Sequence, residues 1–387
     1  TFCMGATLVA LTEARKRVFP DQKQGKGLGR LYAVNTLGAS IGVLITIYFL
    51  LPLFGFVWTA VILAAMSIIS VVIAYIWSKK VEEKPNNTIE KLQLQHATWN
   101  KNEKVQNMLL WLVFGTGLCA LGLETSAVHL MSLVLENTVY TFANILVIYL
   151  IGIVIGSWLY QFFLDRLHNY SYDTILQGSF LVLILSYVPV AHSIFNGSEL
   201  VQSFSPAGSS YFEHVSVEFI YALSVLILPS IAMGFNFSHL IGAFEKEGIG
   251  RAYALNTLGS ACAPIIFGLF GITFLGFANA FYLVLIAYIL LYLAYLVYTF
   301  PKVKNIGAIL LTGLLVLLVC PHNQTLIETA PGWRKLAEED GLMGKVIVSE
   351  QIGSQSPWGG PIRRLQINKH FKMGGGNSFA EMRMGHL

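Results

Sequence analysis

Nine stretches of about 20 mostly apolar residues run through this chain, at roughly 30–54, 57–77, 107–131, 139–163, 174–194, 215–243, 252–275, 277–299 and 304–320. Each is long enough to cross the hydrocarbon core of a bilayer. A tenth, residues 1–11, reads as the end of another span, because the sequence opens at Thr1 inside an apolar run. Lipid offers no partner for free backbone N–H and C=O groups, so runs of this kind fold as helices that satisfy their own backbone. Pro52, Pro189, Pro229 and Pro264 lie in or beside the runs and predict kinks.

Composition points the same way. Hydrophobic residues make up 55% of the chain and charged residues 12%, against about 25% charged in an ordinary soluble domain. The formal charge of +4 is small, and its Lys and Arg sit in short loops. That pattern belongs to membrane orientation and not to a nucleic-acid-binding face. Cys3, Cys119, Cys262 and Cys320 are far apart, show no CxxC spacing and fall in or beside apolar runs. They read as small buried hydrophobes and not as a disulfide or metal site.

The loops alternate in basic charge. Residues 12–30 carry Arg15, Lys16, Arg17, Lys23, Lys26 and Arg30, and 78–106 carry Lys79, Lys80, Lys84, Lys91, Lys101 and Lys104. Arg166, then Lys246 and Arg251, then Lys302 and Lys304 mark the later basic loops. The segments at 54–57, 132–138, 195–214 and around Gly276 hold neither Lys nor Arg. One topology fits: basic loops in the cytoplasm, the others outside. If 304–320 crosses as well, residues 321–387 lie outside, in the periplasm of a bacterium. Asn196-Gly197-Ser198 and Asn86-Asn87-Thr88 fit the glycosylation pattern and read as chance matches.

The membrane part contains an internal repeat. Gly29-Arg30-Leu31-Tyr32-Ala33-Val34-Asn35-Thr36-Leu37-Gly38 returns as Gly250-Arg251-Ala252-Tyr253-Ala254-Leu255-Asn256-Thr257-Leu258-Gly259, with Met4-Gly5 echoed by Met233-Gly234 and Gly55-Phe56 by Gly276-Phe277. Both copies have the same inferred orientation, so the repeat is parallel. Duplicated six-helix halves are a common transporter architecture. The expected fold is therefore an all-α polytopic membrane bundle with a duplicated six-helix repeat, its first copy partial, related by an approximate two-fold axis along the membrane normal. The domain reading is 1–77 for the partial first repeat, 78–106 for a cytoplasmic linker, 107–300 for the second repeat and 301–322 for a final helix. Residues 323–342 are polar. Lys345 to Gln351 and Arg364 to Asn368 then read as two strands joined through turn residues Gly353 to Pro361. Two short strands are not a stable domain, so 323–387 reads as a β-hairpin opening an α/β domain whose remainder is missing, and the chain as a piece of a longer protein.

Charged groups inside spans are costly and are functional candidates by default. Glu124 lies near the middle of 107–131, and His129 follows about one and a third turns later. A carboxylate there could pair with a cationic amine or relay protons; alternatively it is a structural carboxyl bonded to a neighbouring helix. Glu218, near the start of a span, reads as interfacial. Asn35 and Asn256 occupy equivalent repeat positions, each with a tyrosine three residues earlier on the same face, Tyr32 and Tyr253. They either line a polar cavity or serve as helix–helix glue beside Gly38 and Gly259. The spacings Gly38 to Gly42 and Gly152 to Gly156 read as close-packing seams.

These stretches resemble the fused membrane–spermidine synthase family, whose members join a helical region of the major facilitator type to a polyamine aminopropyltransferase domain. The resemblance rests on Met4-Gly5-Ala6-Thr7-Leu8, both NTLG runs, Leu121-Gly122-Leu123-Glu124 with Gly152-Ile153-Val154-Ile155-Gly156-Ser157, and the tail Arg364-Leu365-Gln366-Ile367-Asn368 … Arg383-Met384-Gly385-His386-Leu387. It implies an inner-membrane protein acting on putrescine or spermidine, with decarboxylated S-adenosylmethionine as co-substrate. The family's nucleoside-binding loop and catalytic acids have no counterpart: Gly374-Gly375-Gly376 reads as a hairpin turn, and Glu381 and Met382 stand where the family has His and Glu. No catalytic residue is therefore assigned, and no cofactor or metal is expected in this chain itself. Two further readings stay open: a transporter of polyamines or other small cationic solutes, and a membrane anchor with no substrate of its own.

Overall fold

The computed structural model describes residues 24–80, 103–135, 139–167, 170–197, 201, 211–244, 246–299, 310, 313–314, 331–341, 344–355, 360–368 and 370–374. The partial span at 1–11, most of the loop 12–30, most of the linker 78–106 and nearly all of 304–320 lie outside these residues. The helices are α1 (Gln24–Ile45), α2 (Leu51–Lys80), α3 (Glu103–Val134), α4 (Val139–Leu167), α5 (Tyr172–Phe195), α6 (Tyr211–Ile241), α7 (Lys246–Ala263) and α8 (Thr273–Thr299). Every span expected up to residue 299 coincides with one of them. The apolar faces left exposed carry Trp58, Trp111, Trp158, Phe162, Phe274 and many aliphatic side chains. In water such patches drive association; lipid covers them at no cost.

Among the described residues, six continuous apolar stretches are long enough to cross a membrane, and two, Ala33–Ile76 and Gly248–Tyr298, run 44 and 51 residues. As straight helices these would exceed 60 Å, about twice the hydrocarbon thickness. Each is interrupted by a glycine in left-handed backbone, Gly55 at φ +69 and Gly276 at φ +81. That conformation is open to glycine and strained for residues with a Cβ. The chain doubles back at the second: a Cβ built on Gly271 would lie 3.4 Å from that of Ala280, whereas nine residues along a straight helix span about 13 Å. A π-helical segment precedes each break, Thr46–Leu50 and Pro264–Ile272, the latter opening on the Pro264 flagged by the sequence.

The chain divides into two compact units, one from 1–116, 146–183 and 227–258, the other from 117–145, 184–226 and 259–387. In the first, α4 and α6 meet along a seam of small residues. Ser157 Oγ donates to the Gly234 carbonyl at 3.3 Å. A Cβ on Gly156 would run into the Ile231 carbonyl, one on Gly234 into that of Ile153, and one on Gly152 into Ser230. Helices in lipid gain little from burying apolar surface, so close backbone approach and dispersion hold such pairs. Gly38 and Gly42 differ: a Cβ at either meets nothing within 4 Å, so the seam expected there is not formed among the described residues. The helices around them bury 6% of their most apolar stretch, against 39–56% for the other spans.

In the second unit, Ser260 Oγ donates to the Gly117 carbonyl at 3.2 Å, and the π-helical segment lies on α3 with Phe267 over Gly122 and Gly268 against Thr125. Tyr187, fully buried, packs on Phe281 and Tyr288 with ring centroids 5.2 and 6.3 Å apart. Four antiparallel strands follow in the order β1-β2-β3-β4: Trp333–Gly341, Gly344–Gln355, Pro361–Ile367 and His370–Gly374. The two strands read from the sequence are β2 and β3, in register Val346 with Ile367 and Ser349 with Arg364. Ile347 and Ser349 are buried on one face, the period of two that a strand imposes. Residues 333–341, which the sequence reading noted only as polar, form an edge strand. Its charged run has poor strand propensity alone, but pairing with β2 overrides it, and a charged outer strand is how sheet edges are kept from aggregating.

The glycine seam yields a prediction. Gly156→Leu should lower the stability of the detergent-solubilised chain by about 2 kcal/mol or more, because the obstruction is backbone and cannot swing away. Gly178→Leu, where a Cβ meets nothing within 4 Å, is the control, and thermal melting of both against the parent checks it.

Candidate functional site

Glu124 sits on α3 between Gly122 and Thr125, the two positions covered by Phe267 and Gly268 of the π-helical segment. Its side chain is half-buried. Among the described residues it forms no hydrogen bond and no ion pair. Thr125, next to it, turns its hydroxyl back to the Leu121 carbonyl at 2.8 Å. A carboxyl so placed has given up much of its water without a protein cation in exchange, and such a group draws a cation or a proton to itself.

His129 is not its partner. Five residues along a helix turn about 140°, so the imidazole faces elsewhere. It lies beside the Phe277 ring, centroids 6.1 Å apart, and its carbonyl accepts from Ser132 Oγ at 2.7 Å. Asn35 and Asn256 belong to the other unit. Asn35 is exposed and Asn256 half-buried, and neither side chain is hydrogen-bonded among the described residues. Tyr253 packs edge-on against Phe237 at 5.5 Å; the side chain of Tyr32 lies outside the described residues. Glu218 is half-buried and accepts from Thr141 Oγ1 at 3.0 Å, a cross-helix bond that the interfacial reading did not foresee.

Two polar groupings escaped the sequence reading. In the first unit, Asn236 Nδ2 donates to Ser179 Oγ at 3.1 Å, and Ser179 in turn donates to the Leu176 carbonyl at 2.8 Å. One helical turn on, His239 Nε2 meets the Tyr172 carbonyl at 3.0 Å, with its ring stacked on Tyr172 and edge-on to Tyr160. Buried Asn236 Oδ1 and His239 Nδ1 have no partner among the described residues. The signal was available: three polar residues, Asn236, Ser238 and His239, crowd one turn near the end of an apolar run.

The second grouping is ionic and lies in the sheet. Lys345 pairs with Glu338 and with Asp340, the latter at 3.0 Å, and Lys335 also reaches Glu338. Burial alone would push the Glu338 carboxyl up, but the ammonium groups of Lys335 and Lys345 bring it below its ordinary 4.5. Arg364 lies over the Trp333 ring, 4.1 Å from its centroid, and burial lowers its guanidinium from the ordinary value. Neither the pairings across β1 nor the positions they bring together could be read while 333–341 was known only as a polar stretch.

With stacked apolar spans and an unpaired carboxyl in view, the comparison with known families is decisive. The family profile of the Major Facilitator Superfamily matches residues 1–246. The chain belongs to that superfamily. It is a multi-pass, transporter-like membrane protein. No curated protein and no solved structure gave a match. In this major facilitator protein the matched stretch includes Glu124, His129 and Asn35, while Asn256 and the sheet fall beyond it.

The Glu338 pairing makes the sheet of this facilitator sensitive to acid. A carboxyl whose folded pKa is depressed adds stability that is present above its unfolded value and lost as pH falls through the folded one. Amide protection in β1 and β2, corrected for intrinsic exchange, should therefore drop between pH 6 and pH 3. Glu338→Gln should start lower at pH 6 and change less.

Proposed function

We propose that the chain transports small cationic solutes, polyamines among them, with Glu124 as the counter-charge for the ammonium group. The observation that carries this reading is the carboxyl of Glu124 itself: mid-span, half-buried, and without hydrogen bond or ion pair among the described residues. Membership of the Major Facilitator Superfamily supports it. So does the π-helical segment packed beside the carboxyl, since irregular helix turns recur at functional sites. Asn35, Asn256, Tyr32 and Tyr253 belong to the other unit and are proposed separately as candidate polar cavity residues there, while His129 lies beside Phe277.

Two finer readings accompany it. The parallel repeat is supported by backbone as well as by sequence: the π-helical turns and the left-handed glycines Gly55 and Gly276 fall at matched places after the two NTLG runs. The placement of the tail outside is supported by its contacts. The sheet touches the end of α3 at Ser132 and the joint at Phe277, both on segments without Lys or Arg. The plasma membrane is the location this reading implies, with the sheet in the periplasm or on the outer surface. Aminopropyl transfer, with decarboxylated S-adenosylmethionine as co-substrate and a catalytic core that is absent from this chain, is the second proposal. It rests on the antiparallel strands found where the resemblance placed the synthase's leading strands.

Proteoliposomes carrying the full-length protein should take up labelled putrescine, and Glu124→Gln should reduce uptake to about a hundredth or less, as expected when a buried charge pair loses one partner. Uptake no greater than in empty vesicles would reject the transport reading. For the tail, a cysteine replacing Ser354 should react with an impermeant thiol reagent in intact spheroplasts; reaction only after lysis would place it in the cytoplasm.

A further inference from the structure

Among the described residues, two side-chain hydrogen bonds join the sheet to the membrane helices. Asp340 Oδ2 accepts from the backbone N–H of Phe277 at 3.4 Å. Phe277 follows Gly276, the left-handed break within the first turns of α8, just after the π-helical segment. Asn368 Nδ2 donates to the carbonyl of Ser132 at 3.2 Å, in the last turn of α3. Asn368 is itself 5% exposed and left-handed at φ +55. Its Oδ1 accepts from the Lys345 N–H and its own N–H donates to the Lys345 carbonyl, both at 2.8 Å. The Lys345 ammonium pairs with Asp340 at 3.0 Å. One residue, Lys345, thus indexes both contacts.

One of the elements so joined, α3, carries Glu124, and the other begins where the π-helical segment beside Glu124 ends. Along α3, Gly117, Gly122 and Thr125 receive Ser260, Phe267 and Gly268. Ser132 lies about 12 Å further along the same helix. We propose that the sheet is a clamp, with Asp340 and Asn368 as positioning residues that hold the end of α3 to the Gly276 joint and keep the seam beside Glu124 shut to water on that side. The clamp rests on the reading of Glu124 as the cation site and adds to it a control of access: the cation reaches the carboxyl from the sheet side only when these two contacts let go. The contacts suit the task. Both are single hydrogen bonds at the edge of water, each of modest net strength, so the closed arrangement can be left and regained.

The test measures access and uses no substrate. The full chain, with its four native cysteines replaced by serine and Thr125→Cys added, is placed in lipid nanodiscs and treated with a water-soluble maleimide. With the clamp intact, labelling is slow. Asp340→Ala combined with Asn368→Asp, which keeps the acceptor for Lys345 and loses the donor to Ser132, should raise the rate about thirtyfold, the shift expected on losing two net hydrogen bonds. Asp340→Asn, which retains an acceptor for the Phe277 N–H, should label close to the parent rate. Unchanged labelling in the double variant, or an equal rise in Asp340→Asn and in the exposed-sheet control Arg363→Ala, would overturn the clamp. Gel filtration of each variant shows that the bundle is intact. Because labelling needs no putrescine, a chain that opens as described yet transports nothing would keep the clamp and reject the cation reading. One that transports but does not open would do the reverse.

Discussion

Every backbone polar group that enters hydrocarbon must be satisfied within its own segment, and the rest of this structure depends on that constraint. It turns apolar runs into helices regardless of their modest individual propensities. It also dictates what happens where a run is too long. At Gly55 and Gly276 the helix cannot simply continue, since the apolar length exceeds the membrane twice over, and a left-handed glycine makes the break without a side chain in the way. The π-helical segments just before the breaks keep the backbone hydrogen-bonded while the ladder changes step.

Once the backbone is satisfied, what remains to hold the helices together is contact. Lipid tails compete evenly for apolar side chains, so specificity comes from places where backbones approach closely. Gly152, Gly156 and Gly234 supply such a place between α4 and α6, and Gly122 and Gly268 between α3 and the π-helical segment. The same closeness gives Glu124 its character. A carboxyl beside tightly packed small residues is half-buried and has no cation among the described residues. That combination makes it the group to which a positively charged solute would be drawn.

The sheet obeys different rules. In water, strand pairing and ion pairs decide, and a charged run such as Glu338-Glu339-Asp340 becomes a strand because β2 offers it a ladder and Lys335 and Lys345 offer it charge. The meeting of the two regimes is confined to a few hydrogen bonds. Asp340 and Asn368 reach helix ends where backbone groups are free to accept or donate.

The sequence by itself determined the membrane class, the spans to residue 299, the glycine turns and two of the four strands, because these follow from local patterns: apolar length, the absence of charge, and period-two alternation. It also singled out Glu124, since a charge within an apolar run is visible without coordinates. Only the tertiary structure decided that His129 lies beside Phe277, that Gly152 and Gly156 form a seam while Gly38 and Gly42 do not, and that 333–341 is a strand. The buried Asn236–Ser179 and His239–Tyr172 contacts were hidden for the same reason. Each of these depends on which residues distant in sequence come within hydrogen-bonding or van der Waals reach. A periodicity reports which face of a helix is apolar; it does not report what that face will meet.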